Sequence, residues 1–270
     1  MSNSILRQLF CPLGFFPAKT TKCIELSRLV ESLRIRPTGH NLIRVGPSGD
    51  GGYLLPDDLD GLNYCLSPGV AACSDFEDEM ASRGMQVFLA DKSVDGPAVK
   101  NESFRFIKKF ISSQNSEKEG LITMDRWVVE QLPELANDPR CEAVLQMDIE
   151  GFEYEVLHNI SDDLLKRFRI VVIEFHKLHQ LADRFSFSLI APALRKLLKS
   201  HSVVHIHPNN NRRVLKIYGL EIPATMEFTF LRKDRLIPGG QASSYPHPLD
   251  VKCVSNKRDV VLPLCWQPQV

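Results

Sequence analysis

The chain has 270 residues, 43% apolar and 24% charged, which is ample for a buried core and excludes wholesale disorder. Its 33 Lys and Arg balance 33 Asp and Glu, so no excess cation is available to displace counterions from a nucleic acid, and no nucleic-acid partner is expected. Seven scattered cysteines without a C-x-x-C pair argue against a zinc knuckle or dithiol redox site and point to a reducing, cytoplasmic compartment.

From the N-terminus, Leu9 to Phe16 is a short apolar patch behind Arg7. It lacks a small-residue cleavage site, and no run in the chain nears the roughly 18 apolar residues of a membrane span. Phe15 and Phe16 are candidates for a weak peripheral contact with a membrane or a partner. Residues 22–35 then set Ile24, Leu26, Leu29, Val30 and Leu33 mostly at three- and four-residue spacing, so 1–40 reads as a helical extension.

Seven short apolar runs follow: Leu62 to Leu66, Met85 to Ala90, Phe104 to Ile107, Ala143 to Met147, Ile170 to Phe175, Val203 to Ile206 and Met226 to Leu231. Several are apolar almost throughout, as strands covered on both faces of a parallel sheet are. Helix-like segments lie between them at 74–84, 124–136, 153–166 and 186–200. The link from Asn209 to Thr225 holds Gly219 and Pro223 and no good amphipathic helix. Parallel neighbours need a crossover, so this link predicts a reversed last strand. The expected fold is an α/β, Rossmann-like, seven-stranded, mostly parallel sheet over 41–234, with helices on both faces. Residues 235–270, with five of the 17 prolines, read as a tail that is either docked or flexible.

Ligands of such sheets sit outside the C-terminal ends of the strands. The first strand runs into Ser67-Pro68-Gly69-Val70-Ala71-Ala72-Cys73-Ser74-Asp75, where Gly69 permits a tight turn and Ser74 or Asp75 can cap the next helix. The G-x-G-x-x-G fingerprint is missing, which argues against a pyrophosphate. Asp91 ends the second strand, placed to accept from a ribose diol, and a merely solvated carboxylate is an equally good reading of this residue alone. Ribose without pyrophosphate suits S-adenosylmethionine. Asp148 and Glu150 end the fourth strand at the i, i+2 spacing that shares one face of an extended chain, and Glu174 and His176 repeat it on the fifth. Glu153 and Glu155 read as partners of a helix N-terminus. Five of the eight histidines fall between 176 and 207, with His205 and His207 ending the sixth strand. Imidazole suits proton transfer near neutral pH, and with Asp148, Glu150 and Glu174 the edge is a candidate site for Mg2+ or Mn2+. Upstream, Gly49-Asp50-Gly51-Gly52-Tyr53 is either a tight hairpin or a loop over the cofactor mouth, with Asp50 and Tyr53 as contacts.

Taken in order, Gly49 to Tyr53, Ser67-Pro68-Gly69-Val70 with Ser74 to Glu77, Asp91, Asp148-Ile149-Glu150-Gly151-Phe152-Glu153, Val172 to His176, and His205 to His207 with Asn209-Asn210 resemble the FkbM-type methyltransferases. The resemblance spans about Arg44 to Lys233, and its strongest piece is D-x-E-G-x-E. It implies a class I methyltransferase fold and O-methylation of a sugar, glycan or metabolite hydroxyl, a role in polysaccharide biosynthesis. It also implies a cofactor site of Gly69 and its neighbours for the methionine moiety, Asp91 for ribose, Met124-Asp125 near adenine, and Asp148 between cofactor and acceptor. His176 as general base, oriented by Glu174 and joined by His207, is a physical inference from the residues themselves. Two rivals stand beside it: a metal-dependent glycosyltransferase that uses Asp148 and Glu150 as a D-x-D-like motif, and a non-catalytic cofactor-binding module. A homo-oligomer is left open.

Overall fold

The computed structural model describes residues 3–14, 17–71, 73–238 and 244–269. Phe15, Phe16 and Ala72 lie outside the described residues, and with them the expected peripheral contact at Phe15 and Phe16. The helices are α1 (Asn3–Phe10), α2 (Cys23–Ser32), α3 (Asp75–Ser82), α4 (Met124–Gln131), α5 (Pro133–Asn137), α6 (Glu153–Asn159), α7 (Asp162–Leu165) and α8 (Arg184–Ser200). The strands are β1 (Leu42–Val45), β2 (Tyr53–Pro56), β3 (Tyr64–Pro68), β4 (Gln86–Ala90), β5 (Phe104–Ile107), β6 (Phe110–Ser112), β7 (Leu121–Thr123), β8 (Ala143–Met147), β9 (Phe168–Phe175), β10 (His201–Pro208), β11 (Val214–Ile217), β12 (Leu220–Pro223) and β13 (Met226–Arg232).

All seven apolar runs become strands of one sheet, in the order β10-β13-β9-β8-β3-β4-β5. β13 is antiparallel to both its neighbours, and β9, β8, β3, β4 and β5 run parallel. That order, with the last strand reversed and inserted second from one edge, is the class I methyltransferase arrangement. The link 209–225 folds as the β11–β12 hairpin around Tyr218 and Gly219, both at positive φ, which is why it carries no crossover helix. Two expected helices are broken. Pro133 forces Leu132 out of helical geometry and splits α4 from α5. Ser161 starts α7 afresh by accepting from Leu164 N–H at 3.1 Å.

One face of the sheet packs Leu145, Ile173, Phe175, Phe228 and Phe230 against side chains of α2, α4, α6 and α8. The other packs Cys65, Val87, Val144 and Val172 against α3 and the β1–β2 hairpin. The tail, in its described residues, is docked: Trp266 is fully buried and its indole N–H donates to the Glu221 carbonyl at 2.9 Å.

The strands' N-terminal edge is held by ion pairs. Arg169 bridges Asp58 and Glu142, Arg235 binds Asp58 through two nitrogens, and Arg232 binds Glu142. Burial opposes ionisation of Asp58, but Arg235 and Arg169 outweigh it and hold the carboxyl below its usual range. Removing Asp58 leaves nearly buried Arg169 with Glu142 and the carbonyls of residues 58 and 60, and frees half-exposed Arg235. Asp58→Ala is therefore expected to lower unfolding free energy by about 1.5–3 kcal/mol in urea titrations at pH 7. A loss below about 1 kcal/mol would mean that Glu142 alone suffices for Arg169. Because the folded pKa is depressed, this stabilisation is present above the unfolded carboxylate pKa and fades as pH falls through the folded value.

Candidate active site

At the opposite edge the acids have few cations to meet. Glu174 on β9, Glu227 on β13 and His207 on β10 are direct register partners, so they share a face. All three are buried. Asp148, just past the end of β8, extends the row, and the loop of the β1–β2 hairpin folds over it. Tyr53 is buried there, accepting from Gln146 Nε2 at 3.3 Å, and Asp50 lies near enough to Glu227, Glu150 and Cys253 to feel them. The tight-hairpin reading of the glycine-dense stretch holds, and its loop lies beside the row of acids.

His176 sits at the centre. Its Nδ1 meets Glu153 Oε1 at 3.1 Å, while Nε2 faces Glu150 Oε2 at 3.4 Å and Asp148 Oδ1 at 3.9 Å. Glu153 is fully buried and also accepts from Gly151 N–H at 2.8 Å. It is thus more than a partner of the α6 N-terminus. Glu174 does not orient His176. Its carboxylate accepts instead from Asn209 Nδ2 at 2.8 Å, because β9 ends at Phe175 and Lys177 turns the chain at positive φ. The residue that sequence reasoning missed is therefore Glu153, and the signal was present: the five residues between Met147 and Glu153 can turn the chain and aim a helix-start acid back at the neighbouring strand.

Glu150 departs from expectation too. It has φ +57° rather than an extended backbone, and its side chain is 81% exposed. The set with mutually close ligand atoms, within 4.8 Å, is Asp148, Glu174 and His176, without Glu150. The i, i+2 geometry of a D-x-D-like motif is absent at this position, which removes the sequence basis of the glycosyltransferase reading.

Among the expected cofactor contacts, Ser67 is fully buried and spends its hydroxyl on Glu77 and Gln146. Ser74 stands at the α3 N-cap position but makes no capping bond; its hydroxyl accepts from Ala98 N–H at 3.0 Å. Asp125 accepts from Ser161 N–H at 2.9 Å, beyond the far end of α6, and does not join the row. Gly69, at φ +89°, lets the end of β3 pass against the Asp148 carbonyl, which a Cβ would meet at 1.7 Å. The close approach is to the chain itself. Asp91 is 5% exposed and accepts from Ala71 N–H at 3.0 Å and Ser93 N–H at 2.7 Å. Burial opposes its ionisation, yet the Ser93 hydroxyl and these backbone groups outweigh burial and hold its pKa down.

The row's own acids move the other way. Burial, then the charge of Glu174 and Glu150, pushes the Asp148 carboxyl strongly up; burial and Glu227 push Glu174 up to about 7. For His176, burial favours the neutral ring, but Glu153, Glu174 and Glu150 outweigh it and raise its pKa. The histidines of β10 divide. His201 begins the strand at the far edge, bonds the Phe168 carbonyl at 2.8 Å and is held neutral by burial, its pKa lowered to about 4. His205 pairs with Asp250 at 2.9 Å, and only His207 reaches the row, through Glu227 at 3.2 Å. His207 is therefore not in contact with His176's partners. No described helix is long and apolar enough to cross a membrane.

No curated protein matches the chain. Among solved structures it is similar to the N-methyltransferase NodS from Bradyrhizobium japonicum, with 11% identity over 77% of this chain and 93% of that one, at a TM-score of 0.34. It is also similar to the 23S rRNA methyltransferase ErmE, with 9% identity over 82% and 72% of the two chains at 0.34. A third is TrmN from Thermus thermophilus, with 14% identity over 64% and 45% at 0.30. At such scores these overlays carry no argument about the acceptor; strand order and direction carry the fold. Residues 100–215 match the family model described as the methyltransferase FkbM domain, a narrower stretch than Arg44 to Lys233 that leaves Gly69 and Asp91 outside it. The matched segment includes Asp148, Glu153, Glu174, His176 and His207.

Proposed function

We propose that the protein is an S-adenosylmethionine-dependent O-methyltransferase acting on a hydroxyl of a sugar, glycan or related metabolite. The observation that carries the oxygen acceptor is the imidazole of His176, fixed at Nδ1 by buried Glu153 while Nε2 faces Asp148 and the exposed, displaceable side chain of Glu150. A hydroxyl is a weak nucleophile near neutral pH and needs such a base, held in one tautomer and one orientation.

The residues fit a cationic cofactor. Asp148 Oδ1 is buried with no hydrogen-bond partner among the described residues, beside Glu174 in a row whose acids meet histidine but no lysine or arginine. The sulfonium and ammonium groups of S-adenosylmethionine supply positive charge there, and Asp91, kept ionised, suits the ribose diol. When bound, the cofactor supplies an electrophilic methyl group.

Asp148 would then stand between the cofactor and the acceptor. His176 Nε2 takes the acceptor's hydroxyl proton, and Glu153 steadies the imidazolium that results, as a buried acid does for a catalytic histidine. Tyr53 and the hairpin loop exclude water from the row. A cation bound by Asp148, Glu174 and His176 would compete for the same imidazole, so we assign His176 to proton transfer rather than to Mg2+ or Mn2+.

The test uses S-adenosylmethionine labelled in the methyl group, offered with neutral sugar and amine acceptors. Label recovered in an alkali-stable methyl ether supports the reading, and label found on nitrogen alone defeats it. Mass spectrometry of the denatured protein is expected to release S-adenosylhomocysteine.

A further inference from the structure

His207, Glu227 and Cys253 form a second cluster at the β10–β13 end of the row, sharing no residue with the Asp148, Glu174 and His176 set. Two of them come from neighbouring sheet strands and the third from the irregular tail. Glu227 is 6% exposed and uses both oxygens: Oε2 meets His207 Nδ1 at 3.2 Å, and Oε1 meets Cys253 Sγ at 3.3 Å. We propose that these three side chains bind a borderline transition-metal dication, Zn2+ foremost, which fastens the C-terminal tail to β10 and β13.

Two observations carry the assignment. The first is the donor set. One imidazole nitrogen, one carboxylate and one sulfur select Zn2+ or a similar metal over Mg2+ and Ca2+, which take oxygen alone. The second is spacing. Around a tetrahedral Zn2+ with Zn–N and Zn–O of about 2.0 Å and Zn–S of about 2.3 Å, ligand atoms lie roughly 3.3–3.5 Å apart. Glu227 already holds His207 Nδ1 and Cys253 Sγ at 3.2 and 3.3 Å, and the three ligand atoms lie within 4.8 Å of one another, so binding asks for a modest inward shift.

The placement of Cys253 is not left to a loose tail. Asp250, three residues before it, binds His205 Nε2 at 2.9 Å and accepts from His247 N–H at 2.8 Å. Val254, just after it, donates its N–H to Asn210 Oδ1 at 2.8 Å, and Asn210 Nδ2 donates back to the Val254 carbonyl at 2.9 Å. Clamped on both sides, the thiol is pre-organised over Glu227, the condition for a specific site. On binding, the Cys253 sulfur loses its proton to solvent and the metal takes the lone pair. Asp50, on the hairpin loop beside Cys253, or water fills the fourth position. A dication here also offsets the charge of Glu227, which faces Glu174 across the β13–β9 pair.

The experiment uses the full chain, with Zn2+ and Co2+ as probes. Protein purified from zinc-supplemented culture is expected to carry about one zinc per chain. Cobalt substitution is expected to give tetrahedral visible bands and a near-ultraviolet thiolate-to-cobalt absorption. Cys253→Ser should abolish that absorption, and both Cys253→Ser and His207→Gln should weaken Zn2+ binding by more than the 10- to 100-fold typical of an outer-shell change. Circular dichroism confirms that each variant is folded. Cys73→Ser and His176→Gln should keep both the metal and the absorption. The proposal is overturned if no stoichiometric metal binds, if the absorption survives in Cys253→Ser, or if the metal leaves with His176→Gln instead.

Discussion

His176→Ala is expected to lower kcat by about 10²- to 10⁴-fold while S-adenosylmethionine still binds, because it removes a proton acceptor and leaves the cofactor contacts in place. Glu153→Gln separates the base from its support. Glu153 is the first of the acids that raise the His176 pKa against burial, so removing its charge lowers that pKa. The base is active when neutral, so the acidic limb of the kcat profile should move to lower pH, with a smaller fall in kcat itself. A pH–rate series on the wild type and both variants checks this. Unchanged kcat in His176→Ala would end the base assignment, and an unmoved acidic limb in Glu153→Gln would make Glu153 a structural acid only.

The second large effect is at Gly69. An alanine there must hold φ near +89° and place its Cβ 1.7 Å from the Asp148 carbonyl oxygen and 2.7 Å from the carbonyl carbon. Backbone strain alone costs about 1–3 kcal/mol. The clash adds to this, because the obstacle is main chain and no rotamer relieves it. Gly84→Ala is the matched control: its φ is +90° and nothing lies within 4 Å of the added carbon. Gly69→Ala is therefore expected to lose clearly more unfolding free energy than Gly84→Ala, and to displace Asp148 enough to abolish cofactor binding. Chemical denaturation and calorimetric titration measure the two effects. Equal losses at the two positions would show that the ends of β3 and β8 can part freely.

Segments with strong local patterns are legible from their residues alone. The apolar runs at 143–147 and 170–175 are strands because only a doubly covered strand tolerates apolar side chains on both faces, and each lies within two residues of its observed bounds. The reversed last strand is legible for a negative reason, the missing crossover helix ahead of Met226. The short β6 and β7 pair is not legible, since three residues carry no period.

The site is half legible. Asp148, Glu174 and His176 do converge, as their positions at strand ends imply. Their pairings do not follow from spacing. The i, i+2 rule assumes an extended chain, and the chain turns at Glu150 and at Lys177, both in the left-handed region. Beyond such a turn, direction is set by what the backbone packs against, and Glu153 is brought to His176 in that way. The tail is less legible still. Asp250 and Cys253 lie in a segment without periodicity, and only long-range bonds to His205 and Asn210 bring them over β10 and β13.

The equal count of acids and bases therefore conceals a division by edge. Arg169, Arg232 and Arg235 neutralise Asp58 and Glu142 at the N-terminal edge of the sheet, while Asp148, Glu174 and Glu227 gather at the other with His176 and His207 beside them. The strands, their layering and the strand ends where polar groups collect are written in the order of the amino acids, because they depend on local period and on the burial of apolar side chains. Which acid meets which histidine is settled in three dimensions. Such contacts join residues far apart in the chain, across turns whose direction no local pattern encodes.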